Sequence, residues 1–195
     1  AILIGDGRTF DDKDKIDEEH IRPIVSDVDF YTHKHTVAKT ITAAELVDEV
    51  MKATRFHKGT GTPTMYTTKA MVTDMMLIKD SLGRRIYPTI NDLIAAMRVA
   101  NIVEVEVMEG HTVKAETVLY DTLAILVNTA DYNVGTNKGG EINFFSNFDL
   151  DFNQEKYLYE TRMSGALIKP KAAIVVRKES ADQAATAYGE ETQKG

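Results

Sequence analysis

The sequence contains no cysteine, which excludes a disulfide scaffold, a thiolate zinc site and cysteine catalysis and suits a reducing compartment. No stretch approaches the ~18 consecutive apolar residues of a membrane-spanning helix, and residues 1–7, AILIGDG, lack the basic flank of a signal peptide. Basic side chains are in deficit, 23 against 30 acidic ones, for a net charge of −7. A nucleic-acid binder usually needs a basic face that releases phosphate counterions, so neither sequence-specific nucleic-acid binding nor a membrane partner is expected. No internal repeat is visible, and no G-x-S-x-G or Ser/His/Asp spacing marks a nucleophile; Ser164 reads as a small strand residue.

What is present is ordinary globular material. The chain has 195 residues, 43% hydrophobic and 27% charged, enough for one main core that buries about 70% of the unfolded surface. Residues 6–20 carry seven acidic side chains with only Phe10 and Ile16 as large apolar anchors, the pattern of a solvated loop. Thr42-Ala43-Ala44-Glu45 is a capping box, and Leu46, Val47, Val50 and Met51 follow at helical spacing, which predicts a helix over 43–57. Lys58-Gly59 and the GTGTP run end it, and 63–67 reads as a short buried strand.

A second helix is predicted from Thr67 or Thr68, burying Met71, Val72, Met75 and Ile78 and stopping at Leu82-Gly83. Thr89 and Asp92 repeat the capping logic before Leu93, Ile94, Met97 and Ala100. At 102 the period changes to two: Val103, Val105 and Val107 alternate with Glu104 and Glu106, which predicts a strand with its valines inward. Further strands are expected at 116–120, 123–127, 141–145, 156–162 and 172–176, and a frayed tail over 179–195. Helices mingled with strands, without regular βαβ alternation, give an α+β fold with a mixed or antiparallel sheet and flanking helices.

Candidate chemistry is sparse. Gly5-Asp6-Gly7 lacks the Walker lysine and the third dinucleotide glycine, so a tight turn is the better reading. Asp131, Asn133, Gly135 and Asn137, followed by Gly139-Gly140-Glu141, put oxygens at alternating positions as a calcium loop does. The match misses a third acid, and a hairpin loop is favoured. The run Asp11, Asp12, Asp14, Asp17, Glu18, Glu19 has no glycine to bend it around a cation. His33 and His35 fall on one side of an extended segment and would need a third ligand such as His20 or His57 to hold a metal. A small metal- or phosphate-dependent enzyme built on His33, His35 and the acidic loop is the alternative function; the residues assign no metal and no cofactor.

The order of weak motifs is more specific than any one of them. Helix 43–57, then PTMYTTKAMVTDMMLIKDSLGRRIY with its Lys79-Asp80-x-x-Gly83-Arg84 turn, then 89–108, then Arg162, Pro170 and 172–176, resembles the major capsid proteins of tailed phages with the Hong Kong 97-type fold. The resemblance covers nearly the whole chain to about residue 178. It implies an axial domain over 1–138 with 170–178 returning to it, a peripheral domain of long strands over 139–169 forming a β-hairpin arm, and a flexible tail over 179–195. It implies a structural, non-enzymatic subunit of a virion shell, assembled in a bacterial cytoplasm from pentamers and hexamers of itself with scaffold or decoration proteins as further partners. A nanocompartment (encapsulin-like) shell protein would share the architecture. Family members carry an N-terminal arm, an extended loop and a spine helix ahead of the Gly-Asp-Gly turn, so the chain is expected to be the C-terminal half of such a protein. One subgroup joins subunits by a lysine to asparagine isopeptide bond aided by a glutamate; the resemblance places Asn153 and Glu160 at those positions.

Overall fold

The computed structural model describes residues 2–5, 21–115, 117–136, 142–160 and 163–181. A six-stranded mixed sheet is its centre. The strands are β1 (Thr32–Val37), β2 (Thr64–Thr67), β3 (Ile102–Glu104), β4 (Thr112–Ala115), β5 (Val118–Val127) and, from the far end of the chain, β10 (Ala173–Glu179). Their order is β1-β10-β5-β2-β3, with β4 also on β5. β10 runs parallel to β1, β2 runs parallel to β3, and β5 is antiparallel to β10, β2 and β4. The sheet is thus mixed, as an α+β chain requires.

Burial on both faces explains the two unbroken apolar runs. Along β5 and β10, Ala124, Leu126, Ile174 and Val176 point into a core closed by helices, while Ile125, Val127, Ala173 and Val175 point into a second core. A strand covered on both sides reads as continuous hydrophobicity, and one covered on a single side alternates. Three helices close the first core: α1 (Ala43–Thr54), α2 (Lys69–Met76) and α3 (Ile90–Met97). Each starts as its sequence dictates. Thr42 and Thr89 make reciprocal capping boxes with Glu45 and Asp92, and Thr68 accepts from the Met71 amide. The second core is closed by Ile24, Val25 and Met108, with Ile2, Leu3 and Ile4 packed against it. The Ile2 and Leu3 carbonyls accept hydrogen bonds from the Ile24 and Val25 amides at 3.0 Å each. Residues 2–4 and strand β10 therefore share the second core, and Gly5 lies in the left-handed region at φ 90°.

Several local expectations are corrected. α1 stops at Thr54 rather than 57, because Phe56 and His57 close tight turns onto the Ala53 and Thr54 carbonyls. α2 stops at Met76, six residues before Leu82, and Gly83 (φ 80°) serves a separate turn instead of capping the helix. In α3 the stripe ends at Met97, and Arg98 turns left-handed (φ 56°), so Val99 is buried in place of Ala100. The strand at 102 keeps only three residues because its partner β2 offers only three rungs. Ile102 and Met108 take the buried positions, a 3-10 turn follows at Glu106–Met108, and Val107 faces solvent. The expected strands at 116–120 and 123–127 are one strand, β5. β10 extends to Glu179, so the tail begins later than 179. Asp131 to Gly135 is not a hairpin loop: Thr129–Asp131 is a 3-10 turn and Tyr132–Thr136 is strand β6.

β6 pairs antiparallel with β9 (Met163–Leu167), and β7 (Asn143–Asp149) pairs with β8 (Gln154–Glu160). The β6–β9 ribbon is locked to the rest at Gly165. Tyr132 packs so tightly over it that a Cβ there would lie 2.6 Å from Tyr132 Cε1 and 3.1 Å from the Asn133 carbonyl. The Tyr132 hydroxyl donates to the Arg22 carbonyl at 2.8 Å, and the Arg22 amide donates to the Gly165 carbonyl at 2.9 Å. Burial, reinforced by the Asp27 charge, raises the Tyr132 phenol to about 12, so it stays a donor at every working pH. Gly165→Ala is expected to push Tyr132 off this site and cost about 1–3 kcal/mol, the range for overpacking. An unchanged denaturant midpoint would show that the ring gives way freely.

Candidate assembly surfaces

The β7–β8 hairpin pairs Phe144 with Tyr159, Phe145 with Leu158 and Asp149 with Gln154. Strand alternation then sorts its side chains onto two unlike faces. One face carries Phe144, Phe148, Tyr157 and Tyr159. Ring centroids lie 5.0 Å apart between Phe144 and Tyr159 and 5.9 Å between Phe144 and Tyr157, and Tyr157 donates its hydroxyl to Glu155 on the same side. The other face has one apolar pair, Phe145 and Leu158, beside the Lys156 to Asp149 ion pair. At the turn, Leu150 is 84% exposed and Phe152 73% exposed, and Lys156 sits 5.9 Å over the Phe152 ring.

This arm is uncovered among the described residues. Phe144, Phe145, Phe148, Tyr157, Leu158 and Tyr159 are each about half or more exposed. A two-stranded hairpin is marginal in water by itself, and a contiguous apolar patch of a few hundred Å² marks an interaction surface rather than a resting state. The strands expected at 141–145 and 156–162 fall at Asn143–Asp149 and Gln154–Glu160, and the aromatic face is set by their register. Its signal was present as period two, with Phe144 and Phe148 on one strand and Tyr157 and Tyr159 on the other.

A second exposed surface is the connection between α2 and α3. Asp80 organises it. Its Oδ1 accepts from the Leu82 and Arg84 amides at 2.9 Å each, its Oδ2 takes the Arg84 guanidinium at 3.0 Å, and its own amide donates to the Arg84 carbonyl at 2.8 Å. The Arg84 amide first, then its guanidinium and the Leu82 amide, hold the Asp80 carboxyl below the usual range against the opposing effect of desolvation. The Lys-Asp-x-x-Gly-Arg motif is thus a self-braced turn, and it presents Leu77, Leu82, Ile86 and Ile90 to solvent.

The junction between sheet and arm is polar, with a buried carboxylate at its centre. Asp131, 1% exposed, accepts from the Thr60 amide and hydroxyl at 2.5 Å each and pairs with Lys169 at 3.0 Å. Burial pushes its carboxyl up, and the Thr60 and Lys169 contacts outweigh that and hold it down. Its oxygens are engaged inside the protein while Asn133 and Gly135 sit in β6, so these positions do not form a calcium loop. Asn137 and residues 139–141 lie outside the described residues, as do Asp6, Gly7, the acidic run 11–19, His20 and Arg162.

The histidines are dispersed. His35 Nε2 pairs with Glu49 at 2.8 Å, His33 stacks 4.2 Å from the Phe56 ring, and His57 lies at the arm junction. No group of three or more His, Asp or Glu side chains converges among the described residues. Asn153 sits in the hairpin turn with φ 50°, a left-handed conformation that asparagine tolerates better than most residues. Glu160 ends β8 at the other end of the strand, roughly 20 Å away at ~3.3 Å per residue. Within one chain the two do not meet.

No protein-family model matches the sequence. No curated protein matches it either. Solved structures do. A virus-like particle from Pyrococcus furiosus aligns with a TM-score of 0.51 at 11% identity, over 78% of this chain and 57% of that one. The capsid of an empty GTA particle aligns with a TM-score of 0.49 at 12% identity, over 74% and 54%. A phage-related protein from Bordetella bronchiseptica aligns with a TM-score of 0.46 at 14% identity, over 75% and 55%. The chain spans little more than half the length of each of these. With its mixed sheet, its helical layer and its ribbon and arm, the chain has a capsid-type α+β fold, that of the virus-like particle subunit.

Proposed function

We propose that the chain is a structural subunit of an icosahedral bacteriophage or prophage capsid, built from pentamers and hexamers of itself around a genome in a bacterial cytoplasm. The observation that carries this reading is the arm: a two-stranded projection with an aromatic face and no covering surface among the described residues. A shell subunit leaves such surfaces open because neighbouring copies close them, through heterologous contacts that make rings. The likeness of the sheet to a virus-like particle subunit supports it. In this reading 1–138 with 170–178 form the axial domain, 139–169 the peripheral domain, and the Asp80-braced turn is a second contact surface. Scaffold or decoration proteins are the further partners such a shell admits.

The work of such a subunit is mechanical, and no catalytic group is assigned to it. In an isopeptide-joined shell Asn153 and Glu160 serve the bond from different copies: a neighbour's lysine amine attacks the Asn153 side-chain carbonyl, Glu160 takes the amine proton, and the amide nitrogen leaves as ammonia. A nanocompartment shell is the second reading, favoured by the same arm and differing only in its contents. The test is electron microscopy and sedimentation of the natural gene product under assembly conditions. Icosahedral particles are expected, with nucleic acid separating a virion from a nanocompartment. A monodisperse monomer overturns the proposal.

A further inference from the structure

His57 Nε2 is buried and has no hydrogen-bond partner. An orphaned buried nitrogen is rare in folded proteins and calls for an explanation. Here the explanation lies in what faces it. A Cβ built on Gly59 would fall 2.7 Å from His57 Nε2 and closer still to Asp131 Oδ2, so the imidazole and the carboxylate face each other across the gap that glycine leaves. The ring's hydrogen bond is made with the backbone of Ala172. In the neutral ring Nε2 is then a bare lone pair directed toward an anionic carboxylate, two acceptors with no proton between them.

These residues come from the places where the chain leaves and re-enters the sheet. His57, Gly59 and Thr60 lie between α1 and β2, Asp131 joins β5 to β6, and Lys169 and Ala172 lie between β9 and β10. Thr60 is the tie: its amide and hydroxyl bind Asp131, its carbonyl accepts from Asn128 Nδ2 at 2.7 Å, and Lys169 reaches its hydroxyl. Among the described residues the charged groups around the ring are few. Asp131 faces it directly, Lys169 stands behind Asp131, and Lys171 is turned to the Asp29 carbonyl.

We propose that His57 and Asp131 form a proton-operated latch at the root of the arm: protonation of His57 puts a donor on Nε2, draws Asp131 to it, and releases Thr60. The sign is fixed by the surroundings. Burial holds the His57 pKa below its ordinary value, with Ala172 and Asp131 only partly offsetting it. The native contacts of the neutral ring are therefore fully present above about pH 6.5 and are lost as pH falls through the lower folded value. Asp131 is held below the usual carboxylate range, so it stays charged through that window and can receive the imidazolium. Acid thus loosens the loop at 58–61 from the root of the ribbon while the core of the sheet stays intact. This inference does not depend on shell assembly.

The test uses the 195-residue chain and two readouts. The ring nitrogens of His57 are titrated by NMR between pH 7.5 and 4.5, and amide exchange, corrected for its intrinsic pH dependence, is compared at pH 7.5 and 5.0. The ring is expected to ionise while the chain remains folded, and the Thr60 amide is expected to lose at least ~10-fold protection with Leu126 and Val175 unchanged. His57→Phe, which cannot ionise, should hold that protection at pH 5.0. A ring that does not titrate in the folded chain overturns the latch, as does an undiminished Thr60 amide once the ring is charged. Loss of protection that persists in His57→Phe assigns the acid response to His33 or His111, whose pKa values burial also lowers, and likewise overturns it.

Discussion

Excising the arm is expected to abolish particle formation completely while leaving the sheet folded. The geometry makes the excision clean. Thr136 and Met163 are register partners at the open end of the β6–β9 ribbon, so a short Asn-Gly turn replacing residues 137–162 closes that ribbon as an ordinary hairpin. None of the side chains in the two buried clusters comes from 142–160, so the thermal midpoint should stay within a few degrees of the parent. Assembly should respond very differently, because the deletion removes the whole aromatic face, Phe144, Phe148, Tyr157 and Tyr159, together with Leu150 and Phe152 at the turn. Sedimentation of the natural gene product carrying this excision should show a folded species that never reaches particle size. Particles of normal size would show that the arm is a decoration and that the shell closes through other surfaces.

Particular residues show what the sequence could and could not disclose. Helix starts were legible because capping is local: Thr42, Thr68 and Thr89 each bond a backbone amide three residues on. The strands β5 and β10 were legible because burial on both faces leaves unbroken apolar runs. Helix ends and the phase of β3 were not, since both depend on partners distant in sequence. Met65 of β2 and the short ladder it offers decide that Ile102, not Val103, faces the core. The same reason hid the arm junction. Thr60 and Asp131 are separated by 71 positions, and nothing near either one announces that a buried carboxylate will be satisfied by a loop threonine. His57 enters the sequence reading only as a candidate third ligand to His33 and His35, and its surroundings come from the missing side chain at Gly59. The resemblance carried the arm into view, but which of its faces is aromatic follows from the β7–β8 register alone.

Leu126→Ala is the point substitution with the largest expected effect on stability, and it separates folding from assembly. Leu126 is fully buried at the centre of β5, with Ile174 of β10 on one side and Met65 of β2 on the other. Its side chain enters the core closed by Leu46, Val50, Met75, Leu93 and Met97 from three different helices. Those helices are fixed at their starts by their caps and cannot all move in to fill the hole, so the cavity term is retained. The expected cost is about 2–5 kcal/mol, a large part of the ~5–15 kcal/mol that holds a typical domain together. At roughly 2–4 °C per kcal/mol for a chain of this size, the melting point should fall by about 4–20 °C. Leu150→Ala, which removes an equal volume from an 84% exposed position, should stay within about 0.5 kcal/mol. The two leucines therefore divide the molecule's apolar residues by burial: loss at 126 weakens the folded subunit itself, whereas loss at 150 leaves its stability nearly unchanged and, in the proposed shell, is read only in assembly. Equal melting points for the Leu126→Ala and parent chains would mean that the helical layer collapses onto β5 without cost, and the two-sided core would have to be abandoned.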